Sequence, residues 1–253
     1  MFTWLYVWSP KYEIFHYLLQ NQTKDISGFQ IQPVFFPQSV FARKEGDDGK
    51  HFLTGIGVKI YVLLKNLESK EGEYVVFSDV DILCLKQNLA SILEEYKKND
   101  ITCMRESLDS DYYNIGFMLV KNTPNTINLF KRVLERIRTE NMLDQDVFNE
   151  ELKQFNGSIG HFSIPEFIQS NMIEQLNKDE NYAIIQCLSS DMNTERKMLE
   201  KLATATYFFD ITPLRKYISD ELENGLKQYF IDSDVGNYVL KWPTRISSSN
   251  KLT

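Results

Sequence analysis

Short apolar runs alternate with helical periodicities through the first third of the chain. Phe2 to Trp8 and Gln30 to Phe36 are typical of strands, and Tyr74 to Phe77 is an unbroken run of β-branched and aromatic residues. Apolar residues recur at helical spacing after Ser9-Pro10 and again from Ile56 to Leu67. The order strand, helix, strand, helix, strand predicts a parallel sheet with right-handed crossover helices.

The pattern continues less regularly beyond this first part. The further predicted elements are helices over Leu89–Lys98, Pro124–Arg138, Asp144–Lys153 and Thr194–Ala203, and strands over Ile101–Met104, Tyr113–Val120, Phe162–Ile164, Tyr182–Gln186 and Tyr207–Ile211. Residues 38–50 are polar and predict an exposed loop. No stretch is rich enough in Pro, Gly or Ser to mark a domain boundary, so the sequence predicts one α/β domain.

Composition excludes several classes of protein. Of the 253 residues, 43% are hydrophobic, which allows a sizeable core. The net charge of −7, without a long basic run, makes nucleic acid an unexpected partner. The three cysteines lie among apolar residues, which favours buried thiols over a disulfide framework or a zinc site. With no charged leader and no apolar stretch of membrane-spanning length, we expect a cytoplasmic protein without a membrane-spanning segment.

Two acids follow the Tyr74 strand at once. Asp79 and Asp81 stand at its carboxyl end, where open α/β sheets bind their ligands. Two carboxylates that converge there suit a hard cation with oxygen ligands, typically Mg²⁺ or Mn²⁺. The same residues are also compatible with a simple turn, because Asp commonly ends strands.

Three motifs stand in a fixed order along the chain: Ser78-Asp79-Val80-Asp81, Asn114-Ile115-Gly116 and Asp144-Gln145-Asp146-Val147-Phe148-Asn149. This set resembles the nucleotide-diphospho-sugar transferase (GT-A) superfamily, and most of all its retaining families with D-x-D, N-x-G and D-Q-D-x-[FIL]-N motifs. The glycogenin and lipooligosaccharide galactosyltransferase group is similar, as are related plant and viral transferases. The resemblance covers about residues 1 to 205.

The resemblance implies a GT-A fold with a Rossmann-like, mostly parallel central sheet flanked by helices. Residues 1–205 would form the nucleotide-sugar transferase core, and residues 206–253 a C-terminal extension packed on the core with a frayed tail. The implied activity is metal-dependent transfer of a hexosyl or pentosyl group from a nucleotide-diphosphate sugar, expected to be a UDP-sugar, to a hydroxyl of a glycan, glycoconjugate or protein. Transfer would retain the anomeric configuration.

Roles at the matching positions follow from the same resemblance. Asp79 and Asp81 would bind Mn²⁺ or Mg²⁺ bridging the two phosphates, and Asp79 would also lie near the ribose. Asn114 would lie near the donor sugar. Asp144 would accept hydrogen bonds from the sugar hydroxyls, and Gln145 would lie beside the anomeric carbon, opposite the leaving phosphate.

Physical chemistry is consistent with these roles. The sugar–phosphate bond breaks towards an oxocarbenium-like centre while negative charge builds on the diphosphate, which a divalent ion stabilises. The sequence shows no obvious nucleophilic carboxylate paired as in glycosidases. A front-face route, in which the departing phosphate deprotonates the acceptor hydroxyl, is therefore the simpler hypothesis for a retaining enzyme.

Each candidate residue also has a purely structural interpretation. Asp144 could serve only as a helix N-cap, and Asn114 and Gly116 could form only a turn before a strand. Lys59 could attract a phosphate or be a solvated helix lysine. Arg105-Glu106 could line an acceptor cleft or form a surface pair.

The sequence departs from the family pattern at a late metal-binding histidine. The corresponding strand is Tyr182–Gln186, and no histidine follows it, since the last one is His161. Gln186 could offer a carbonyl oxygen and Asp191 a carboxylate, whereas Cys187 is too soft to prefer Mn²⁺ or Mg²⁺. The outcome is a weaker metal site, a replacement ligand or a catalytically inactive binder, and we favour an active enzyme.

Two other functions remain open at this point. A sugar-phosphate nucleotidyltransferase would share the sheet, but it opens with a Gly-rich, Arg-containing loop where this chain has Trp8-Ser9-Pro10-Lys11. A non-catalytic module that keeps a nucleotide-sugar pocket is the second alternative, and fold-level analogy cannot decide between them.

Overall fold

The computed structural model describes residues 1–37, 50–69, 73–140, 142–175, 181–189, 194–209, 212–217, 219 and 224–225. The chain divides into two compact units, Met1–Gln186 and Cys187–Thr253. The expected loop lies outside the described residues except at Lys50, as does the expected frayed tail. The boundary predicted at residue 205 stays a prediction.

The first unit holds all the described strands. They are β1 (Phe2–Trp8), β2 (Phe29–Phe35), β3 (Tyr74–Ser78), β4 (Ile82–Cys84), β5 (Ile101–Arg105), β6 (Tyr113–Lys121), β7 (Ile159–His161), β8 (Phe167–Gln169) and β9 (Ile184–Gln186). The central sheet has the order β2-β1-β3-β6-β5-β7. Only β6 runs against the other described strands of this sheet. The predicted α/β class with a mostly parallel central sheet is therefore confirmed, and both sheets belong to one α/β domain.

The antiparallel strand β6 brings two of the sequence motifs together. It lies between β3 and β5, with Ser78 opposite Phe117 and Arg105 opposite Tyr113. Because it runs antiparallel, the start of β6 adjoins the carboxyl ends of both neighbours. Asn114 therefore lies at the edge of the sheet where Asp79 follows β3.

A second, three-stranded sheet has the order β4-β9-β8. In it, β4 pairs antiparallel with β9, so that Ile82 lies opposite Gln186. This sheet was not anticipated from the sequence, because three-residue strands carry too little periodicity. Its consequence for the site is that Gln186 comes close to the acids that precede β4.

The helices of the first unit are α1 (Glu13–Thr23), α2 (Lys50–Leu67), α3 (Leu89–Glu94), α4 (Pro124–Glu140) and α5 (Asp144–Glu151), and the second unit contains α6 (Thr194–Phe208). Helices α2, α4 and α5 contribute to one buried core with strands of the central sheet. The rings of Phe130 on α4 and Phe148 on α5 stack at 5.8 Å between centroids. Both are fully buried, so this packing fixes where α5 begins relative to the sheet.

Some predicted boundaries were wrong. The strand predicted over Phe162–Ile164 is instead β7, because pairing with β5 ends at His161 opposite Cys103. The strand predicted over Tyr207–Ile211 does not form, since Tyr207 and Phe208 continue α6. A short apolar run fits a strand or a buried helix equally well, and here helical packing prevails. None of the helices in the described part of the chain is long and apolar enough to cross a bilayer.

Candidate active site

The two acids of the first motif lie in the connection between β3 and β4. The backbone N–H of Asp79 donates to the carbonyl of Gly116 on β6 at 2.8 Å, so the connection is held against the neighbouring strand. Asp81 is 5% exposed, and the side chain of Asp79 is 25% exposed. A solvated turn would expose both acids, so a simple turn does not describe this connection.

Lys59 on α2 joins the acids that the sequence places far apart. Its Nζ lies 2.6 Å from Asp79 Oδ1 and 3.5 Å from Asp144 Oδ2. The Lys59 side chain is only 22% exposed, so its interpretation as a solvated helix lysine was wrong. Burial lowers the pKa of Lys59, but the charges of Asp79 and Asp144 outweigh burial and raise its pKa overall.

Asp144 does not act as the helix cap that its position suggested. Helix α5 begins at Asp144 itself, with Leu143 in the N-cap position and no side-chain capping bond there. Asp144 Oδ1 accepts a hydrogen bond from the N–H of Gln145 at 3.1 Å, while Oδ2 faces Lys59. An acid in the first turn also interacts favourably with the helix dipole. The side chain is thus directed to the same ammonium as Asp79.

Gln186 supplies the second partner of Asp79. Its Nε2 donates to Asp79 Oδ2 at 3.0 Å, and the residue is 4% exposed. Its buried Oε1 has no hydrogen-bond partner among the described residues. Space for this side chain comes from Gly116, where an added Cβ would lie 2.0 Å from Gln186 Nε2. The glycine of the second motif thus has a packing reason, beyond any turn.

Asn114 and Gln145 meet at a carboxylate that the sequence did not single out. Asn114 Nδ2 donates to Glu106 Oε2 at 2.8 Å, and Gln145 Nε2 donates to the same oxygen at 2.9 Å. Asn114 Oδ1 accepts from the N–H of Gly116 at 2.7 Å. Glu106 had been considered only as part of the Arg105-Glu106 pair, because nothing in its local sequence marks it as a carboxylate that binds several amides.

Asn149, the last residue of the third motif, ties α5 to β6. Its Oδ1 accepts from the N–H of Tyr113 at 2.9 Å, and its Nδ2 donates to the Tyr113 carbonyl at 2.8 Å. The same Nδ2 also donates to the carbonyl of Gln145 at 2.8 Å. Asn149 therefore pairs with Tyr113 as a neighbouring strand would, and it holds Asn114 and Gln145 in register.

Residues 49–200 match the nucleotide-diphospho-sugar transferase family. The chain belongs to this family. It is accordingly a glycosyltransferase of the GT-A type, in line with the resemblance carried by its three motifs. No curated protein sequence matches the chain.

Solved glycosyltransferases with TM-scores of 0.50 or more share the fold at low sequence identity. One involved in glycosylation of the major capsid of the virus PBCV-1 is 12% identical, with a TM-score of 0.53 over 80% of this chain and 98% of that one. GlyE of Streptococcus pneumoniae TIGR4 is 11% identical, with a TM-score of 0.50 over 80% of this chain and 61% of that one. The galactosyltransferase LgtC, in complex with donor and acceptor sugar analogs, is 12% identical, with a TM-score of 0.46 over 79% of this chain and 95% of that one.

A cavity of about 430 Å³ opens near the end of β5 in this glycosyltransferase. It is lined by Glu95, Tyr96, Lys98, Arg105, His161, Phe162, Ser163 and Ile164. Arg105 also donates to the carbonyl of Ser110 at 3.1 Å and lies 3.4 Å from the exposed carboxylate of Asp111. Arg105 thus lines a cavity and pairs with Asp111 instead of Glu106, and its role towards an acceptor stays a prediction.

The donor set near Asp79 is consistent with a hard divalent ion. The described residues contain no group of three His, Cys, Asp or Glu side chains that could hold a metal, and Asp191 lies outside them. The set comprises the carboxylates of Asp79 and Asp81 and the side-chain amide of Gln186. The buried oxygen of that amide has no hydrogen-bond partner in the described part of the chain. Three oxygen donors of this kind suit Mg²⁺ or Mn²⁺, so the residues fit the ion that the family resemblance implies.

Proposed function

We propose that this glycosyltransferase moves a sugar from a UDP-sugar to an acceptor hydroxyl, with Mn²⁺ or Mg²⁺ as cofactor and with retention of configuration. The observation that carries the proposal is the position of Lys59 between Asp79 and Asp144. It joins the acid beside the sheet to the acid at the start of α5. Groups suited to a diphosphate and groups suited to a sugar thus meet at one place.

The charge of the site supports a metal requirement. Asp79 and Asp144 lie within 3.5 Å of the Lys59 ammonium and Asp81 is near enough to raise its pKa, so these four groups alone carry a net negative charge. An anionic diphosphate would be repelled from such a site without a further cation. Asp79, Asp81 and the Gln186 amide oxygen would hold the ion, which when bound supplies Lewis-acid stabilisation of the leaving diphosphate.

The remaining residues would bind and orient the donor. In our proposal, the Asp144 carboxylate accepts hydrogen bonds from the sugar hydroxyls, and Lys59 holds that carboxylate in place. Gln145 and Asn114 would contact the sugar with the amide hydrogens that Glu106 does not take. The aromatic surface of Trp8, whose ring stacks on His16 at 4.0 Å between centroids, lies at the carboxyl end of β1 and would suit a nucleobase.

Transfer would proceed on the front face of the sugar. The bond between the anomeric carbon and the diphosphate oxygen breaks, and its electron pair leaves with the diphosphate. The acceptor hydroxyl oxygen forms the new bond on the same face, and its proton passes to the departing phosphate oxygen. No protein nucleophile is required for this route. Glycan, glycoconjugate and protein acceptors all remain candidates.

A panel of nucleotide sugars, assayed with and without Mn²⁺ for release of the nucleoside diphosphate, tests the proposal. We expect turnover with at least one UDP-sugar that EDTA abolishes. NMR of the anomeric signal in the first product then tests the stereochemistry, because an inverted product would rule out the front-face route. Absence of turnover with every donor, in the presence of metal, would count against an enzyme.

The alternative is a protein that binds a nucleotide sugar without transferring it. One observation favours it, since both carboxylate oxygens of Asp79 already have partners, Lys59 Nζ at 2.6 Å and Gln186 Nε2 at 3.0 Å. A metal would have to displace or reorient at least one of them. A Mn²⁺-dependent rise in melting temperature with UDP, without turnover of any UDP-sugar, would support this alternative.

A further inference from the structure

Glu106 accepts three hydrogen bonds on one carboxylate oxygen. Its Oε2 lies 2.8 Å from Asn114 Nδ2, 2.9 Å from Gln145 Nε2 and 3.1 Å from Gln169 Nε2. The N–H of Glu106 donates to the Tyr112 carbonyl at 3.1 Å, which holds its backbone beside the start of β6. Donors from β6, α5 and β8 therefore converge on a single atom.

The carboxylate determines which way each amide faces. An ionised carboxylate only accepts hydrogen bonds, so each partner must turn its NH₂ group, not its oxygen, towards Glu106. The amide oxygens then face backbone donors: Asn114 Oδ1 accepts from Gly116 at 2.7 Å, and Gln145 Oε1 lies 3.4 Å from the N–H of Ile115. The side of Asn114 and Gln145 that remains for a ligand is the second N–H of each of these two amides.

Gln169 holds Glu106 from a third element of the fold. It is fully buried and belongs to β8, and its Nε2 also donates to the carbonyl of Arg105 at 2.9 Å. The guanidinium of Arg105 is directed to Ser110 and Asp111, and it makes no ion pair with Glu106. We call Glu106 and the three amides that donate to it the Glu106 hub. In this hub a carboxylate is held by neutral donors, and each such charge-assisted hydrogen bond is stronger than a bond between two neutral groups.

We propose that Glu106 is a positioning residue for the reaction, acting through the amides of Gln145 and Asn114. This inference rests on the proposed function for its catalytic consequence. Without Glu106, the Gln145 amide is free to rotate and to present its oxygen, instead of its N–H, to the sugar. Misplacement of about 1 Å near a reacting centre costs about 10²-fold in rate.

Kinetics separate positioning from general structural support. We expect Glu106→Ala to lower kcat about 30-fold to 100-fold, while KM for the donor changes less than about 3-fold. Glu106→Gln keeps an accepting oxygen, so this variant should retain much of the wild-type kcat. In a Gln145→Ala background, Glu106→Ala should lower kcat by a smaller factor than it does in the wild type, because one of the two amides through which it acts is already absent. The control Glu94→Gln removes an exposed carboxylate that pairs with Lys97, and it should leave kcat unchanged.

NMR tests the hub itself without reference to activity. The side-chain amide signals of Asn114, Gln145 and Gln169 can be assigned by their loss in single alanine variants. We expect Glu106→Gln to shift all three, and Glu94→Gln to shift none. Unmoved signals in a folded Glu106 variant would overturn the hub, and wild-type kcat in Glu106→Ala would overturn its catalytic role. Absence of turnover in the wild type, with shifted signals, would instead contradict the proposed function alone.

Discussion

Two carboxylates organise the site in different ways. Asp79 has a charged partner, Lys59 at 2.6 Å, and a neutral one, Gln186 at 3.0 Å. Glu106 has only amide partners on its Oε2, from Asn114, Gln145 and Gln169. The Asp79 group compensates charge, whereas the Glu106 group sets the orientation of neutral side chains.

The difference assigns distinct tasks to the two groups. A divalent ion can replace the ammonium of Lys59 as the partner of Asp79, because either cation balances the charge of the carboxylate. Partners of Glu106 cannot be exchanged without leaving buried amide donors unsatisfied, which is costly. We therefore expect the Asp79 group to respond to metal and nucleotide, and the Glu106 group to stay fixed.

Lys59→Met should give the largest effect, because it removes the charged partner. It leaves Asp79 and Asp144 without their shared ammonium, and we expect a loss of turnover of at least about 10²-fold. We also expect a loss of roughly 1–3 kcal/mol in the free energy of unfolding. Steady-state assays and urea unfolding measure the two effects. Lys65→Met, on the exposed side of the same helix, is the matched control and should retain wild-type turnover.

The pH dependence of the Lys59 contribution follows from the direction of its pKa. A lysine whose pKa is raised in the folded state contributes stability that is fully present below the ordinary value of 10.5 and is lost only above it. The stability difference between wild type and Lys59→Met should therefore be constant from about pH 6 to pH 9. A difference that vanishes towards pH 9 would contradict the ion pairs as the source of the effect.

Gly116→Ala should disturb the neutral partner of Asp79. The new Cβ would lie 2.0 Å from Gln186 Nε2, so the buried amide must move, at a cost of roughly 1–3 kcal/mol. Gly57→Ala is the matched control, because its Cβ would meet its nearest neighbour, Leu134 Cδ1, at an ordinary 3.7 Å. That helix substitution should stabilise the protein by roughly 0.5–1 kcal/mol. Equal thermal unfolding of both variants would refute the packing of Gln186 on Gly116.

Asn149→Asp should have the smallest effect and should act on the Glu106 side of the site. In the wild type the amide of Asn149 donates to the carbonyls of Tyr113 and Gln145. In the variant a carboxylate, which cannot donate, would face these two carbonyls. We expect a loss of roughly 1–2 kcal/mol and a lower kcat, because α5 and β6 separate slightly. Chemical unfolding and steady-state kinetics check both. A variant with full stability and full kcat would show that Asn149 does not hold the two elements together.

The sequence predicted the strands and helices whose formation depends on residues close together along the chain. The apolar run before Asp79 and the helical spacing around Lys59 identify a strand and a helix correctly. The pairing of Lys59 with Asp79 was missed, because it depends on the rotation of α2 against the sheet. Glu106 and Gln169 were missed as partners because 63 residues separate them, and only the antiparallel β6 and the second sheet bring their surroundings together.

Calorimetric titration with UDP, in Mn²⁺ and in EDTA, tests the central claim most directly, namely that the acids beside β3 hold a nucleotide diphosphate through a divalent ion. The account predicts binding in Mn²⁺ that weakens at least about 10²-fold in EDTA and equally in Asp81→Ala, while the circular dichroism of the variant stays that of the folded protein. UDP binding of the same affinity in EDTA, or undiminished binding by Asp81→Ala in Mn²⁺, would contradict it.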